Sequence, residues 1–236
     1  MSATSTVKQL PLSMWLREGA SFENFLASLL NQQLLASLKN PEEPFVFLWG
    51  TESAGKTHLL QAACHAVTAK AESSVYLPMS EAAQFAPEML EGLEQMSLVA
   101  IDDADAIAGD RDWETALFNL YNRIRDTGTG RLLVAANKPL SEIGLLLPDL
   151  QSRLSWGLVY QVQAMSDDEK RLALKQRADS RGFELPDEVA NYLLRHYQRQ
   201  TSELFELLDR LDQYSLAEQR RLTIPFVKQV IEAEEL

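Results

Sequence analysis

Cysteine is almost missing from this sequence: Cys64 is alone among 236 residues, which excludes an internal disulfide framework and fits a reducing compartment, most simply the cytoplasm. No apolar run approaches the roughly 18 residues that a membrane-spanning helix needs. The opening Met-Ser-Ala-Thr-Ser-Thr has neither a basic stretch nor an apolar core, so it does not read as a signal peptide. Positive charge is also scarce, 22 Lys and Arg against 34 Asp and Glu, a net charge of −12. The deficit runs through the chain, with 11 basic and 19 acidic residues in 1–163 and 11 and 15 in 164–236. Proteins that grip a phosphate backbone unaided carry a basic face, so tight direct binding of nucleic acid is not expected. His65 and His196 have no Cys or His neighbours at metal-ligand spacing, which speaks against zinc.

What is present is an ordinary globular mixture, 46% hydrophobic and 24% charged, long enough for one or two domains. Residues 1–20 are polar apart from an apolar island at Leu10 to Leu16 and are expected to form a flexible tail. A helix is expected from Ser21 to Leu38, closed by Asn40, Pro41 and Pro44. The period then changes. Short apolar runs at Phe45–Trp49, Ser74–Leu77, Leu98–Ile101, Leu132–Ala136 and Leu158–Val162 read as strands buried on both faces. Amphipathic stretches such as His58–Ala69 and Trp113–Arg125 lie between them. This alternation predicts an α/β domain over residues 21–163, a parallel sheet with helices on both faces. Beyond it the strand signal ends. A capping box at Ser166 and Glu169, a helix stop at Gly182, a helix start at Pro186 and further helices at Thr201–Leu216 and Pro225–Glu234 predict a small all-α domain over residues 164–236.

The sharpest motif is Gly50-Thr51-Glu52-Ser53-Ala54-Gly55-Lys56-Thr57, which meets G-x-x-x-x-G-K-S/T at every fixed position, directly after a strand and before a helix. Its glycines let the backbone turn N–H groups toward phosphates, and the helix N-terminus adds positive dipole character. Lys56 is expected to reach the β- and γ-phosphates and the Thr57 hydroxyl to ligate Mg²⁺. His58 follows on the same helix and borders the nucleotide loop, with its ring expected to be packed or solvated rather than catalytic. Leu98-Val-Ala-Ile101 runs into two carboxylates, of which Asp102 is expected to hold Mg²⁺ and Asp103 to orient an attacking water. Asn137 ends the next strand, at the sheet edge where parallel sheets bind ligands, and its amide can bond the water or the γ-phosphate. The plainer reading of Asn137 is a turn former ahead of Pro139.

This set resembles the Walker A, Walker B and sensor-1 elements of AAA+ ATPases, followed by a helical lid. Within that group the chain is similar to the bacterial replication initiator DnaA and its relatives, on Ser21-Phe-Glu-Asn-Phe25, Phe-Leu-Trp-Gly50, Gly-Lys-Thr-His-Leu-Leu60, Ile-Asp-Asp103 and Leu147-Pro-Asp-Leu-Gln-Ser-Arg153-Leu154. Only about ten residues follow Pro225 here, so the helix-turn-helix domain that DnaA carries after its lid is not expected. Arg181-Gly-Phe-Glu-Leu-Pro186, Leu222-Thr-Ile-Pro-Phe-Val-Lys228 and Asp112-Trp-Glu resemble the regulatory DnaA homologues of the Hda type.

The resemblance implies a five-stranded P-loop sheet in the order 5-1-4-3-2 with a lid, bound ADP or ATP with Mg²⁺, and regulation of replication initiation. Its implied partners are DnaA and the DNA polymerase III sliding clamp, with DNA met mainly through the clamp, and a homodimer or higher homo-oligomer is compatible with it. The clamp peptide would be Gln9-Leu10-Pro11-Leu12-Ser13-Met14, the Gln9 amide at a groove rim, Leu12 and Met14 in apolar pockets, and Pro11 pre-extending the backbone. Arg153 stands at the position of the arginine finger offered in trans; a surface salt bridge is the plainer reading. The lid position that usually holds a sensor-2 arginine is Ser202, with Arg199 one turn away, so the chain's own hydrolysis is expected to be weak. Two other readings stay open: a self-hydrolysing AAA+ ATPase of the helicase-loader type on single-stranded DNA, and a binding module in which nucleotide only rigidifies the fold.

Overall fold

A computed structural model describes residues 20–23, 25, 31–40, 42–196, 201–218 and 220–234. The peptide Gln9 to Met14 and Arg199 lie outside these residues. Five parallel strands form one sheet: β1 (Phe45–Trp49), β2 (Ser74–Pro78), β3 (Leu98–Asp102), β4 (Arg131–Ala136) and β5 (Leu158–Gln161), in the order β2-β3-β4-β1-β5. This is the expected order read from the other edge. All five residues of β3 are buried, which explains its unbroken apolar run: helices cover both faces. At the edge, β5 instead alternates, with Val159 43% exposed.

On one face Phe47, Val75, Leu77 and Ile101 pack beneath α3 (Arg111–Thr127) and α4 (Pro148–Trp156). On the other, Val46, Leu48 and Leu133 pack beneath α1 (Gln32–Lys39) and α2 (Lys56–Thr68). Cys64 belongs to this second core, and burial pushes its thiol up to about 12. Between β2 and β3 the chain makes three short 3₁₀ turns, the second opening at Pro87 and the third preceded by Gly92, which has φ +80°.

The helix expected from Ser21 differs. Phe22 and Glu23 form a turn, and the helix described here is α1, from Gln32. Tertiary contacts explain the difference. Phe22 is buried with the Lys39 ammonium 5.7 Å from its ring centroid, and the Ser21 carbonyl is held by His58, so the segment is drawn across the sheet's cover.

The C-terminal helices α5 (Asp167–Ser180), α6 (Asp187–His196), α7 (Thr201–Glu218) and α8 (Ile224–Glu234) close on their own core of Leu174, Val189, Leu193, Leu208 and Phe226. Both halves of the capping box form at Ser166 and Glu169, and Gly182 takes φ +82° just past the end of α5. No described helix is long and apolar enough to cross a membrane.

Candidate nucleotide site

Parallel strands bring their C-terminal ends to one edge, and the chemistry-bearing residues collect there. The loop Gly50–Gly55 leaves β1 and enters α2. The side chains of Thr51, Glu52 and Ser53 are exposed, so these residues offer the site mainly backbone. Ser53 (φ 60°) and Gly55 (φ 100°) are both left-handed, which curls the loop. Ala54 is buried and anchors the loop from beneath. No side chain caps α2 at its N-terminus, so the first N–H groups of the helix face the loop's hollow. A Cβ on Gly55 would stand 2.6 Å from Phe25 Cε2, so the Phe25 ring lies flush against this glycine.

Lys56 is nearly buried. Its ammonium donates to the Gly50 carbonyl (2.8 Å), the Thr51 carbonyl (2.9 Å) and Asn137 Oδ1 (3.0 Å). Burial draws its pKa below the usual lysine range, opposed by the nearby Asp102, Asp103, Asp105 and Glu52 carboxylates.

Asp102, 1% exposed at the end of β3, is the most enclosed carboxylate of the site. Its Oδ2 accepts from Thr57 Oγ1 (2.6 Å) and from Tyr76 OH (2.8 Å), and its Oδ1 from the Asp103 N–H (3.0 Å). Burial pushes this carboxyl above the usual range, and the Thr57 bond pulls it back. Asp103 follows in the left-handed region, φ 52°, half-buried, turning the chain out of the strand.

Asn137, just beyond β4, is tied to Asp105: its N–H reaches Oδ1 at 2.7 Å and its Nδ2 reaches Oδ2 at 2.9 Å. It is therefore more than a turn former. His58 Nε2 lies 2.8 Å from the Ser21 carbonyl and its ring 5.8 Å from the Phe25 ring, a packed histidine as expected.

The structure thus brings Gly50–His58, Asp102, Asp103 and Asn137 to one edge. Sequence reasoning missed Tyr76, Asp105 and Phe25 as neighbours of the site. Tyr76 is visible only through the β2–β3 register, which sets it beside Ala100. Asp105 had a signal, a carboxylate in the turn directly after the strand.

The residues fit a nucleoside polyphosphate with Mg²⁺. A curled loop, an uncapped helix N-terminus and a buried ammonium suit phosphate oxygens, while Thr57 Oγ1 and Asp102 form an oxygen pair suited to a hard cation.

Arg153 lies elsewhere. It sits near the end of α4; β5 begins just beyond at Leu158, whose register partner is Val46 near the start of β1. The phosphate loop leaves the other end of β1, so Arg153 does not face its own chain's loop. Its guanidinium carbon lies 4.2 Å from the ring centroid of Trp156, which is 65% exposed. Among the described residues no carboxylate pairs with it. Ser202 lies in the first turn of α7.

The family model for the bacterial DnaA ATPase domain matches residues 16–161, well over half of the chain. The chain belongs to the DnaA family of AAA+ domains. Residues 167–231 match the Hda lid domain, so this is an Hda-like DnaA homologue. Among solved structures, domain III of DnaA from Thermotoga maritima superposes with a TM-score of 0.69 at 19% identity, covering 92% of this chain and 98% of that one. AMPPCP-bound DnaA from Aquifex aeolicus gives 0.67 at 20% identity, covering 84% of this chain but only 66% of that longer one. A RuvB variant from Thermotoga maritima gives 0.62 at 16% identity, covering 91% of this chain and 72% of that one. At such identities these likenesses speak for the AAA+ fold with its helical lid.

Proposed function

We propose that this DnaA homologue is a nucleotide-liganded regulator of replication initiation that stimulates hydrolysis of ATP held by DnaA. In this reading the tail, residues 1–20, carries the clamp peptide, 21–163 bind nucleotide and 164–236 form the lid, in a cytoplasmic protein that meets DNA mainly through the clamp. Gly50–His58 cradle ADP or ATP, Thr57 and Asp102 hold Mg²⁺, and Asp103 and Asn137 order the γ-phosphate side. AMPPCP in a solved DnaA supports the nucleotide.

The observation that carries the proposal is the situation of Arg153: half-buried near the end of α4, away from its own loop, stacked on an exposed tryptophan and free of ion pairs among the described residues. A guanidinium is permanently charged and fork-shaped, suited to the charge that develops on a transferring phosphoryl group of a neighbouring molecule. Head-to-tail contact, with itself or with DnaA, would bring it there.

The test is turnover of radiolabelled ATP on DnaA with clamp-loaded DNA, adding the full chain or a chain lacking residues 1–16. The full chain should speed hydrolysis and the truncated one should lose both clamp pull-down and stimulation while melting at the same temperature. Hydrolysis unchanged by the full chain would overturn the proposal. A second reading, a self-hydrolysing ATPase of the helicase-loader type, is favoured by the complete phosphate loop with Asp103. It requires turnover by this chain alone that single-stranded DNA accelerates.

A further inference from the structure

The grip of Asp105 on Asn137 has no counterpart among the motif residues. Asp105 stands in the 3₁₀ turn Ala104–Ala106, after the left-handed step at Asp103, and is half-buried. It uses both carboxylate oxygens on one residue, Oδ1 on the Asn137 backbone N–H at 2.7 Å and Oδ2 on its Nδ2 at 2.9 Å. A carboxylate only accepts, so the nitrogen end of the Asn137 amide must face Asp105. The opposite end, Oδ1, lies 3.0 Å from Lys56 Nζ, and an ammonium only donates. Both neighbours therefore demand the same orientation, and a flipped amide would set donor against donor and acceptor against acceptor. The amide links the end of β4 to the lysine of the phosphate loop with its polarity set from outside.

We infer that Asp105 is a positioning residue that locks the Asn137 amide, so that its oxygen stays turned to the Lys56 ammonium and steadies that lysine for bound phosphate, instead of the amide turning freely. The inference rests on the nucleotide reading of the loop. Without Asp105 the amide rotates, and Lys56 loses the acceptor that steadies it from the β4 side. Asp105→Asn keeps the volume of the side chain but puts a donor where Asn137 already presents one.

The experiment is calorimetric titration of the full chain with Mg·ADP and Mg·AMPPCP, as wild type, D105N, N137A, the double variant and K56A, with melting temperatures in parallel. D105N and N137A should each weaken binding about five- to tenfold, the loss expected when a charge-assisted hydrogen bond no longer holds its partner. The double variant should be no weaker than N137A alone, because Asp105 acts through Asn137. Binding by D105N as tight as wild type, or losses that multiply in the double variant, would overturn the inference. Should D105N melt out of solution, hydrogen exchange of the wild-type Asn137 side-chain amide decides. Slow exchange supports the lock, and exchange as fast as an exposed asparagine refutes it. Failure of the nucleotide reading looks different: wild type and K56A would then bind alike.

Discussion

Thr57 Oγ1 donates to Asp102 Oδ2 at 2.6 Å, across 45 residues of sequence. Thr57 stands in the first turn of α2 and Asp102 ends β3, so the bond joins the phosphate loop to the strand whose carboxylate is the most enclosed in the site. Tyr76 donates to the same oxygen from β2. Two hydroxyls and one backbone N–H thus satisfy a carboxylate that burial alone would leave expensive to ionise.

Lys56→Ala should abolish most nucleotide affinity while the chain stays folded, since among the described residues its ammonium hydrogen-bonds only to the loop and Asn137. Calorimetry with ADP checks it, and affinity equal to wild type would refute the phosphate-loop reading.

His58 makes stability pH-dependent. Burial draws its pKa below the usual imidazole range, the Ser21 hydrogen bond opposes this, and the Arg177 charge adds to the lowering. The Ser21 carbonyl only accepts, so Nε2 carries the proton of the neutral ring. The unfolded chain then binds a proton more readily than the folded one. The contribution of His58 is complete above about pH 6.5 and is lost as pH falls through the lower folded value. Asp102, with its raised carboxyl, has the opposite sign. Thermal midpoints of wild type and His58→Gln should therefore converge as pH drops below about 6.5; a constant difference over that range would contradict this assignment.

Glu114 is fully buried and accepts from three backbone N–H groups, Gly109 (2.8 Å), Leu146 (3.0 Å) and Leu147 (2.8 Å). Leu147 is the residue before α4, the helix that carries Arg153. Glu114→Ala strands these donors and should cost about 3–5 kcal/mol in denaturant unfolding, with Glu114→Gln losing less. A loss below about 1 kcal/mol would mean that water or a shifted loop satisfies them.

Arg153→Ala should leave the fold and nucleotide affinity nearly intact, losing only about 0.5–1 kcal/mol of stacking on Trp156. It should cut stimulation of DnaA-bound ATP hydrolysis by about 10³-fold or more. Arg153→Lys should rescue poorly, because an ammonium lacks the planar fork. Full stimulation by the alanine variant in the hydrolysis assay would assign Arg153 to the surface alone.

Much of this protein was legible in the linear order of its residues. The strand–loop–helix around Gly50 to Thr57, the buried runs at Phe45, Leu98 and Leu132, and the capping box at Ser166 are local patterns. Each depends on side-chain period, turn chemistry or hydrogen bonds within a few residues. The path before α1 was not legible, because the turn at Phe22 is held by Lys39 and His58 rather than by its own propensity. Neither was the support of the site. Tyr76 reaches Asp102 only because β2 and β3 pair in one register, and Asp105 reaches Asn137 only because β3 and β4 are neighbours in the sheet. The sequence by itself determined which residues can carry the chemistry, since that depends on residue type and local spacing. The tertiary structure alone decided which way the amide of Asn137 turns and which strand ends Arg153 lies beside, since those depend on contacts between distant segments.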